Sequence, residues 1–353
     1  MDAIKFHNVV KSYPEFTLGP INLTVQEGEF FGIFGPPSTG KTSILKLILG
    51  LLAPDEGHIY LSGQDASELD VAERDISMVF QNLALFPHMT GRENIIFPLK
   101  ERGVSEEDIT RQLDFVSEVL HISHILHKSP AQMSGGERQR VALGRAFAVG
   151  NRAMLLDEPI AALDARLREE MRVELKRLQR ENNQTFVYVS HDEEEVMAIS
   201  DRVAVVIAGK IAQIGTPDDV YSRPNSIEVA EVIGTPPMNF FQGKFSSDGL
   251  FFEIETLDIR VAVDGDAGFR GKATLGVRPE DIWLGNDEID ATFDLTISTV
   301  EPLGGYTILN ARVGEQIIKI RAPGQVHIKE GSVQPITFDQ RRIHLFDPAG
   351  KRL

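Results

Sequence analysis

Residues 35–42 read Gly-Pro-Pro-Ser-Thr-Gly-Lys-Thr. A glycine, four residues and then Gly-Lys-Thr is the spacing of a phosphate-binding loop, in which backbone N–H groups at a helix N-terminus converge on phosphate oxygens. On that chemistry Gly35, Pro36, Pro37, Ser38, Thr39, Gly40 and Ser43 belong to the wrap around the phosphates. Lys41 would reach the β- and γ-phosphates, and Thr42 would give its hydroxyl to Mg²⁺. A second constellation is Ala-Met-Leu-Leu-Asp-Glu-Pro at 153–159. An apolar strand ending in Asp157 would place a carboxylate near the metal, directly or through water. Glu158 beside it could polarise a water for attack on the γ-phosphate. Alone, the acidic pair reads equally well as a solvated strand end, and His191, which ends Thr-Phe-Val-Tyr-Val-Ser-His, as a satisfied strand-end histidine.

These residues need elements to position them. EFFGIFG (29–35) is an apolar run that leads into the loop, and TSILKLILGLL (42–52) follows with apolar residues at helical spacing. DISMVFQ (75–81), AMLLDE (153–158), TFVYVSH (185–191) and RVAVVIAGK (202–210) read as strands, and 164–182 as an amphipathic helix with a solvated charged face. Strands separated by helices predict an α/β layered core with parallel pairing. Between Gln81 and Asn151 the pattern is mostly helical, a subdomain of about 82–150 inserted between strands. Prolines and glycine cluster in RPNSIEVAEVIGTPPMNF, and short strands between turn signals recur after it, predicting a small β-barrel or sandwich. The expected domains are 1–234 and 235–353. Trp283 is expected in the core of the second.

Composition narrows the partners. The formal net charge is −16, so a broad basic footprint for nucleic acid is not expected, nor direct adhesion to anionic lipid. There is no cysteine, hence no disulfide or thiolate metal site. LILGLLA and VAVVIA are the longest apolar runs, far short of the roughly 20 residues that span a bilayer. MDAIKFHNVV lacks a basic stretch followed by an apolar run, so no secretory leader is expected. His121, His124 and His127 have no acidic or thiol residue interleaved and read as surface histidines.

One further segment carries chemistry. Gln132-Met-Ser-Gly-Gly-Glu-Arg-Gln-Arg140 stands immediately before the helical pattern VALGRAFAV. Ser134, Gly135 and Gly136 open a helix, so their N–H groups and the positive end of its dipole can face an anion, each such contact worth about 0.3–1 kcal/mol. Ser-Gly-Gly-Glu-Arg-Gln-Arg resembles the signature of the ATP-binding cassette (ABC) ATPases. Gln81 in VFQNLALFPHMT resembles that family's Q-loop, Ile-Ala-Ala-Leu-Asp (160–164) its D-loop, and His191 its switch histidine. Tyr13 stands where the family stacks an aromatic ring on adenine.

The resemblance implies a P-loop α/β ATPase with an inserted helical subdomain, binding ATP and Mg²⁺. It implies that Thr42 and Gln81 coordinate Mg²⁺ with Asp157 supporting, that Glu158 is the general base, and that His191 hydrogen-bonds the γ-phosphate. Ser134, Gly135, Gly136, Glu137 and Asp164 would act across a dimer that sandwiches two ATP molecules. GTPPMNFFQGK, TLGVRPEDIWLG, VEPLGGYTILNARV and IHLFDPAGKRL are similar to the OB-like, all-β regulatory domain of carbohydrate-importer ATPases, the maltose-importer subfamily. That implies an importer subunit for a sugar, oligosaccharide or polyol, peripheral on the cytoplasmic face of the membrane. Two permease subunits, an extracytoplasmic binding protein and a second ATPase subunit would be its partners, with LFPHMTGREN receiving a permease helix. Importers of glycerol phosphate, polyamine, ferric iron or sulfate share much of the layout. A regulatory protein that binds ATP is the reading from another class. Three positions depart from the family: Pro37 for serine, Ser38 for glycine and Ala161 for serine. They leave open a heterodimer beside the homodimer.

Overall fold

The computed structural model describes residues 1–263, 269–285 and 293–353. The chain divides into two compact units, Met1–Asp218 and Asp219–Leu353.

The first unit opens with β1 (Asp2–Ser12), β2 (Thr17–Gln26) and β3 (Phe30–Phe34), followed by α1 (Lys41–Leu49), β4 (Glu56–Leu61), β5 (Gln64–Asp65) and β6 (Ile76–Val79). Helices α2 (Gly91–Glu101), α3 (Glu106–Val119) and α4 (Gly135–Val149) then intervene before β7 (Ala153–Asp157). The unit finishes with α5 (Ala165–Asn182), β8 (Thr185–Ser190), α6 (Glu193–Ile199), β9 (Arg202–Ile207) and β10 (Lys210–Gly215). A six-stranded sheet has the order β10-β9-β3-β8-β7-β6, parallel except for the β10 edge. β3, β7 and β8 are buried along their whole length. Continuous apolar runs of this kind fit strands covered on both faces. The expected strands and the helical insertion are all present. The sequence reading missed a four-stranded antiparallel sheet, β2-β1-β4-β5. Its inner residues Ile4, Phe6, Leu23 and Ile59 share one core with Phe31 and Ile33 of β3 and with Ile44 and Ile48 of α1. This sheet and α1 therefore hold the loop between β3 and α1 from one side.

Two packed five-stranded antiparallel sheets make up the second unit. After α7 (Pro217–Ser222) and α8 (Ile227–Val232) come β11 (Asn239–Phe245), β12 (Phe251–Ile254), β13 (Ile259–Ala262), β14 (Lys272–Val277) and β15 (Ile282–Leu284). The rest are β16 (Phe293–Pro302), β17 (Tyr306–Val313), β18 (Gln316–Pro323), β19 (Val333–Phe338) and β20 (His344–Phe346). The sheet orders are β13-β12-β11-β14-β20 and β15-β19-β16-β17-β18. Phe241, Phe252, Leu275, Leu309 and Ile320 lie in the shared core. Residues 219–234, which precede the expected boundary, pack with this unit. The buried Arg278 donates to Ile233 O at 2.7 Å and Tyr221 O at 2.6 Å, and its guanidinium lies 3.8 Å from the Tyr221 ring centroid. These contacts tie residues 221 and 233 to the strands that follow. Trp283 is not core: it is 39% exposed, with Nε1–H donating to Glu280 O at 3.2 Å.

His344 is buried, and its Nδ1 lies 3.1 Å from an Arg352 NH group, so Nδ1 is the acceptor. Burial, then the charges of Arg352 and Arg278, push its imidazole down to about 4. A histidine held neutral in the fold contributes stability that is complete above the unfolded value near 6.5 and is lost as pH falls toward 4. The loss amounts to about 3 kcal/mol across that window. Denaturant unfolding followed by Trp283 fluorescence should therefore show the second unit weakening from pH 6.5 to 4. His344→Gln should flatten that dependence.

Candidate functional site

The parallel sheet brings the ends of β3, β6, β7 and β8 to one edge. β3 ends at Phe34 and the chain turns through 35–40 into α1. The turn needs glycine at its first position: a Cβ on Gly35 would lie 2.1 Å from Val206 O of the neighbouring β9. Gly40, at φ 95°, is the N-cap of α1 and offers no side chain to it. The first turn of α1 carries no acidic residue. Its N–H groups and the helix dipole are thus left for an outside anion. Lys41 is 7% exposed and folds back over the loop, its ammonium donating to Gly35 O and Pro36 O at 2.7 Å each. Burial lowers its pKa, opposed by the carboxylates of Glu158 and Asp157. Thr39 Oγ1 donates to Pro36 O at 3.0 Å and closes the turn.

Opposite the loop, Thr42 Oγ1 donates to Asp157 Oδ1 at 3.2 Å. Asp157 is 3% exposed, and burial pushes its carboxyl up, with the Thr42 hydrogen bond opposing. Glu158 follows at φ 50°, with its N–H donating to Val189 O at 2.9 Å. Its carboxylate accepts from Gln81 Nε2 at 3.1 Å through Oε2 and meets His191 Nδ1 at 2.8 Å through Oε1. A cleft of about 530 Å³ results, lined by Pro37, Ser38, Lys41, Gln81, Glu158 and His191 among others. Anionic phosphate suits the loop side. The other side offers hard oxygen donors, the Thr42 hydroxyl, the Gln81 amide and the Asp157 carboxylate, a set that fits Mg²⁺ completed by phosphate and water. His191 itself lies on a turn secured by the buried Glu195, which accepts from Ser190 Oγ at 2.8 Å and Tyr188 OH at 2.9 Å.

Other expected site residues lie elsewhere. The Tyr13 ring stacks on Phe16, centroids 4.9 Å apart, and its hydroxyl donates to Ser43 Oγ at 2.9 Å. Phe16, which the sequence reading missed, lines the cleft. Ser134, Gly135, Gly136, Glu137 and Asp164 do not line it. Ser134 caps α4, its Oγ accepting from Glu137 N at 3.2 Å, while Glu137 Oε2 accepts from Ser134 N at 2.6 Å. The Lys128 ammonium at 2.8 Å, with the Ser134 N–H, holds Glu137 down to about 2. A Cβ on Gly135 would meet nothing closer than 4.0 Å, whereas one on Gly136 would lie 3.1 Å from Leu163, so the start of α4 is open at Gly135. Asp164 caps α5, accepting from Leu167 N at 3.0 Å. Two residues of α4 were also missed: Gln139, whose Nε2 donates to Glu158 O at 3.3 Å, and Arg145, which donates to Leu83 O and Ala84 O. No local spacing signals them, because their partners are 19 and about 60 residues away.

A family model described as ABC transporter matches residues 18–161, one described as MalK OB fold domain matches 234–282, and one described as TOBE domain matches 275–346. The chain is 38% identical over 370 residues to the trehalose/maltose import ATP-binding protein of Thermococcus litoralis, with 98% of each chain covered. It is 38% identical to the sn-glycerol-3-phosphate import ATP-binding protein of Escherichia coli O157:H7, again with 98% of each covered. To the sulfoquinovosyl glycerol transport ATP-binding protein of Agrobacterium fabrum it is 36% identical, covering 100% of this chain and 99% of the other. Among solved structures it resembles the dimeric post-hydrolysis state of the ATP-binding cassette MJ0796 bound to ADP and Pi. The TM-score is 0.57 and the identity 31%, over 61% of this chain and 98% of that one.

The buried Asp157 carboxylate opposes folding of the empty chain. Its raised pKa means that the ionised form costs stability above the folded-state pKa, and that the cost vanishes as pH falls below the unfolded value. Asp157→Asn keeps an acceptor for Thr42 and should stabilise the ligand-free chain at pH 7 by about 1 kcal/mol. The gain should shrink on acidification. Far-UV circular dichroism melts of both proteins across pH would read it.

Proposed function

This chain belongs to the ABC transporter family, and from that premise we propose that it is the ATP-hydrolysing subunit of an importer for a sugar, oligosaccharide, polyol or glycerol phosphate. It works as one of two ATPase subunits bound to membrane-spanning permeases, peripheral on the cytoplasmic face. An extracytoplasmic solute-binding protein is the indirect partner. The observation that carries the reading is the Glu158 carboxylate, held between Gln81 and His191 and facing a phosphate loop with Lys41.

Lys41 and the N–H groups at the start of α1 bind the β- and γ-phosphates. Phe16, backed by Tyr13, presents an aromatic face to the base. Bound Mg²⁺ would neutralise phosphate charge, with Thr42, Gln81 and Asp157 as the residues that hold it. Glu158 takes the proton from the attacking water, and Gln81 and His191 fix the orientation of its carboxylate. A positioned base of this kind supplies about 10²–10⁴-fold. The open start of α4 supports the dimer. Ser134, Gly135 and Gly136 are absent from their own chain's cleft, and with the Ser134 N–H taken by Glu137 the N–H groups of Gly135 and Gly136 can close the cleft of a second subunit. Asp164 at the D-loop lies beside that same seam. The unit Met1–Asp218 is the ATPase, and the unit Asp219–Leu353, which includes the expected domain 235–353, is a regulatory or dimerisation module. Pro37, Ser38 and Ala161 keep a pairing with a non-identical ATPase as the second reading.

Glu158→Gln should retain ATP binding, lose about 10²–10⁴-fold of hydrolysis and, by light scattering, accumulate as an ATP-bound dimer. Unchanged hydrolysis would remove Glu158 from the role of base. Co-purification of tagged protein from native membranes tests the assembly. Permeases with a single kind of ATPase chain support the homodimeric importer, and a second ATPase chain supports the heterodimer. Recovery of no membrane protein would overturn the importer reading.

A further inference from the structure

Two polar side chains of α4, the buried Gln139 and the half-buried Arg145, reach out of the helical insertion toward the strand ends. Gln139 is almost wholly buried, and its Nε2 donates to the main-chain carbonyl of Glu158 at 3.3 Å. That carbonyl also accepts from Ala161 N at 3.4 Å. The other amide atom of Gln139, Oε1, is buried without a hydrogen-bond partner. Two helical turns further on, Arg145 donates to Ala84 O at 2.6 Å and to Leu83 O at 2.9 Å, and its guanidinium lies over the Phe86 ring at 5.8 Å. Leu83 and Ala84 both have positive φ, 63° and 45°, in the turn that directly follows Gln81.

We propose that Gln139 and Arg145 are positioning residues that make α4 a strut, fixing Glu158 from its main chain and Gln81 from its turn to one rigid helix. The circuit closes through the side chains, because Gln81 Nε2 donates to Glu158 Oε2. Glu158 sits at φ 50°, a conformation that a non-glycine residue keeps only where its surroundings over-determine it. Its N–H is held by β8 at Val189 O and its carbonyl by α4. The helix that begins at the Ser134–Gly136 turn thus sets the geometry of the base in the same chain. A group arriving at that turn, or at residues 83–86, acts on the carboxylate through this helix. The proposal rests on the reading of Glu158 as general base.

The full-length chain tests it by steady-state ATP hydrolysis. Gln139→Leu keeps the bulk, removes the donor and removes the unpartnered Oε1. It should lower kcat about 10-fold or more, since small displacements of a reacting group are costly. KM for ATP should stay within about two-fold, and the melting temperature should be equal or higher. Arg145→Lys keeps the charge but cannot fork across two carbonyls. It should lower kcat in the same way, with Arg145→Met falling further. Glu158→Gln is the control. If it leaves hydrolysis intact, the base reading fails and the strut has nothing to position. If it abolishes hydrolysis while Gln139→Leu and Arg145→Lys keep the wild-type kcat, the strut alone is overturned. A fall in kcat matched by a fall in melting temperature in Gln139→Leu would also overturn it, in favour of a merely structural role.

Discussion

The main chain of Glu158 is the constraint around which the cleft is organised. A left-handed backbone costs a residue with a Cβ roughly 1–2 kcal/mol, and at φ 50° Glu158 carries that cost. The turn sends its side chain off the line of β7, between Gln81 and His191 and away from the buried Asp157. With ordinary strand geometry the two carboxylates would alternate to opposite faces of the sheet. The kink brings both to one edge, Asp157 at Thr42 and Glu158 at His191. The work is divided by environment: one carboxylate is buried against a hydroxyl, and the other is held by two side chains at the rim.

Electrostatics follows from that arrangement. The chain as a whole carries −16, and the Glu158 carboxylate borders a site for a polyanion, with the buried Asp157 close by at Thr42. Attraction must therefore come from local groups: the buried Lys41 ammonium and the uncapped N-terminus of α1. Both lie in surroundings where a charge counts for more than it would at the surface. Lys41 donates to two loop carbonyls, and these bonds fix its ammonium against the loop. Such preorganisation lowers the cost of ordering on binding.

The chemistry at the strand ends was legible because it is local in sequence. Gly35 to Thr42 and Asp157-Glu158 are contiguous, and the apolar runs before them announce buried strands. The antiparallel sheet of β1, β2, β4 and β5 was not legible. Its strands alternate buried and exposed residues with bulges that break the period, as between Phe6 and Val9. Phe16 was missed because the family likeness pointed to Tyr13 three residues earlier, and the two rings stack as a pair. Gln139 and Arg145 are ordinary polar residues in a helical pattern until their distant carbonyl partners are known. Glu137 showed the opposite limit. Its place in the signature segment suggested a ligand contact, whereas within the chain its carboxylate serves the cap of α4 and Lys128.

The unusual Pro37 and Ser38 can be weighed against what holds the loop. Ser38 does have the positive φ, 62°, at which a glycine would be unstrained, and Pro37 has no N–H to give. The path of the loop, however, is set by other residues. Gly35 passes against Val206 O with no room for a side chain, Thr39 closes onto Pro36 O, and Lys41 ties Gly35 and Pro36 from above. None of these contacts uses the N–H of residue 37 or the side chain of residue 38. The substitutions therefore subtract one donor and add about 1 kcal/mol of local strain without redirecting the chain. The contacts of Thr42 with Asp157, and of Glu158 with Gln81 and His191, are made by other residues and do not pass through positions 37 or 38.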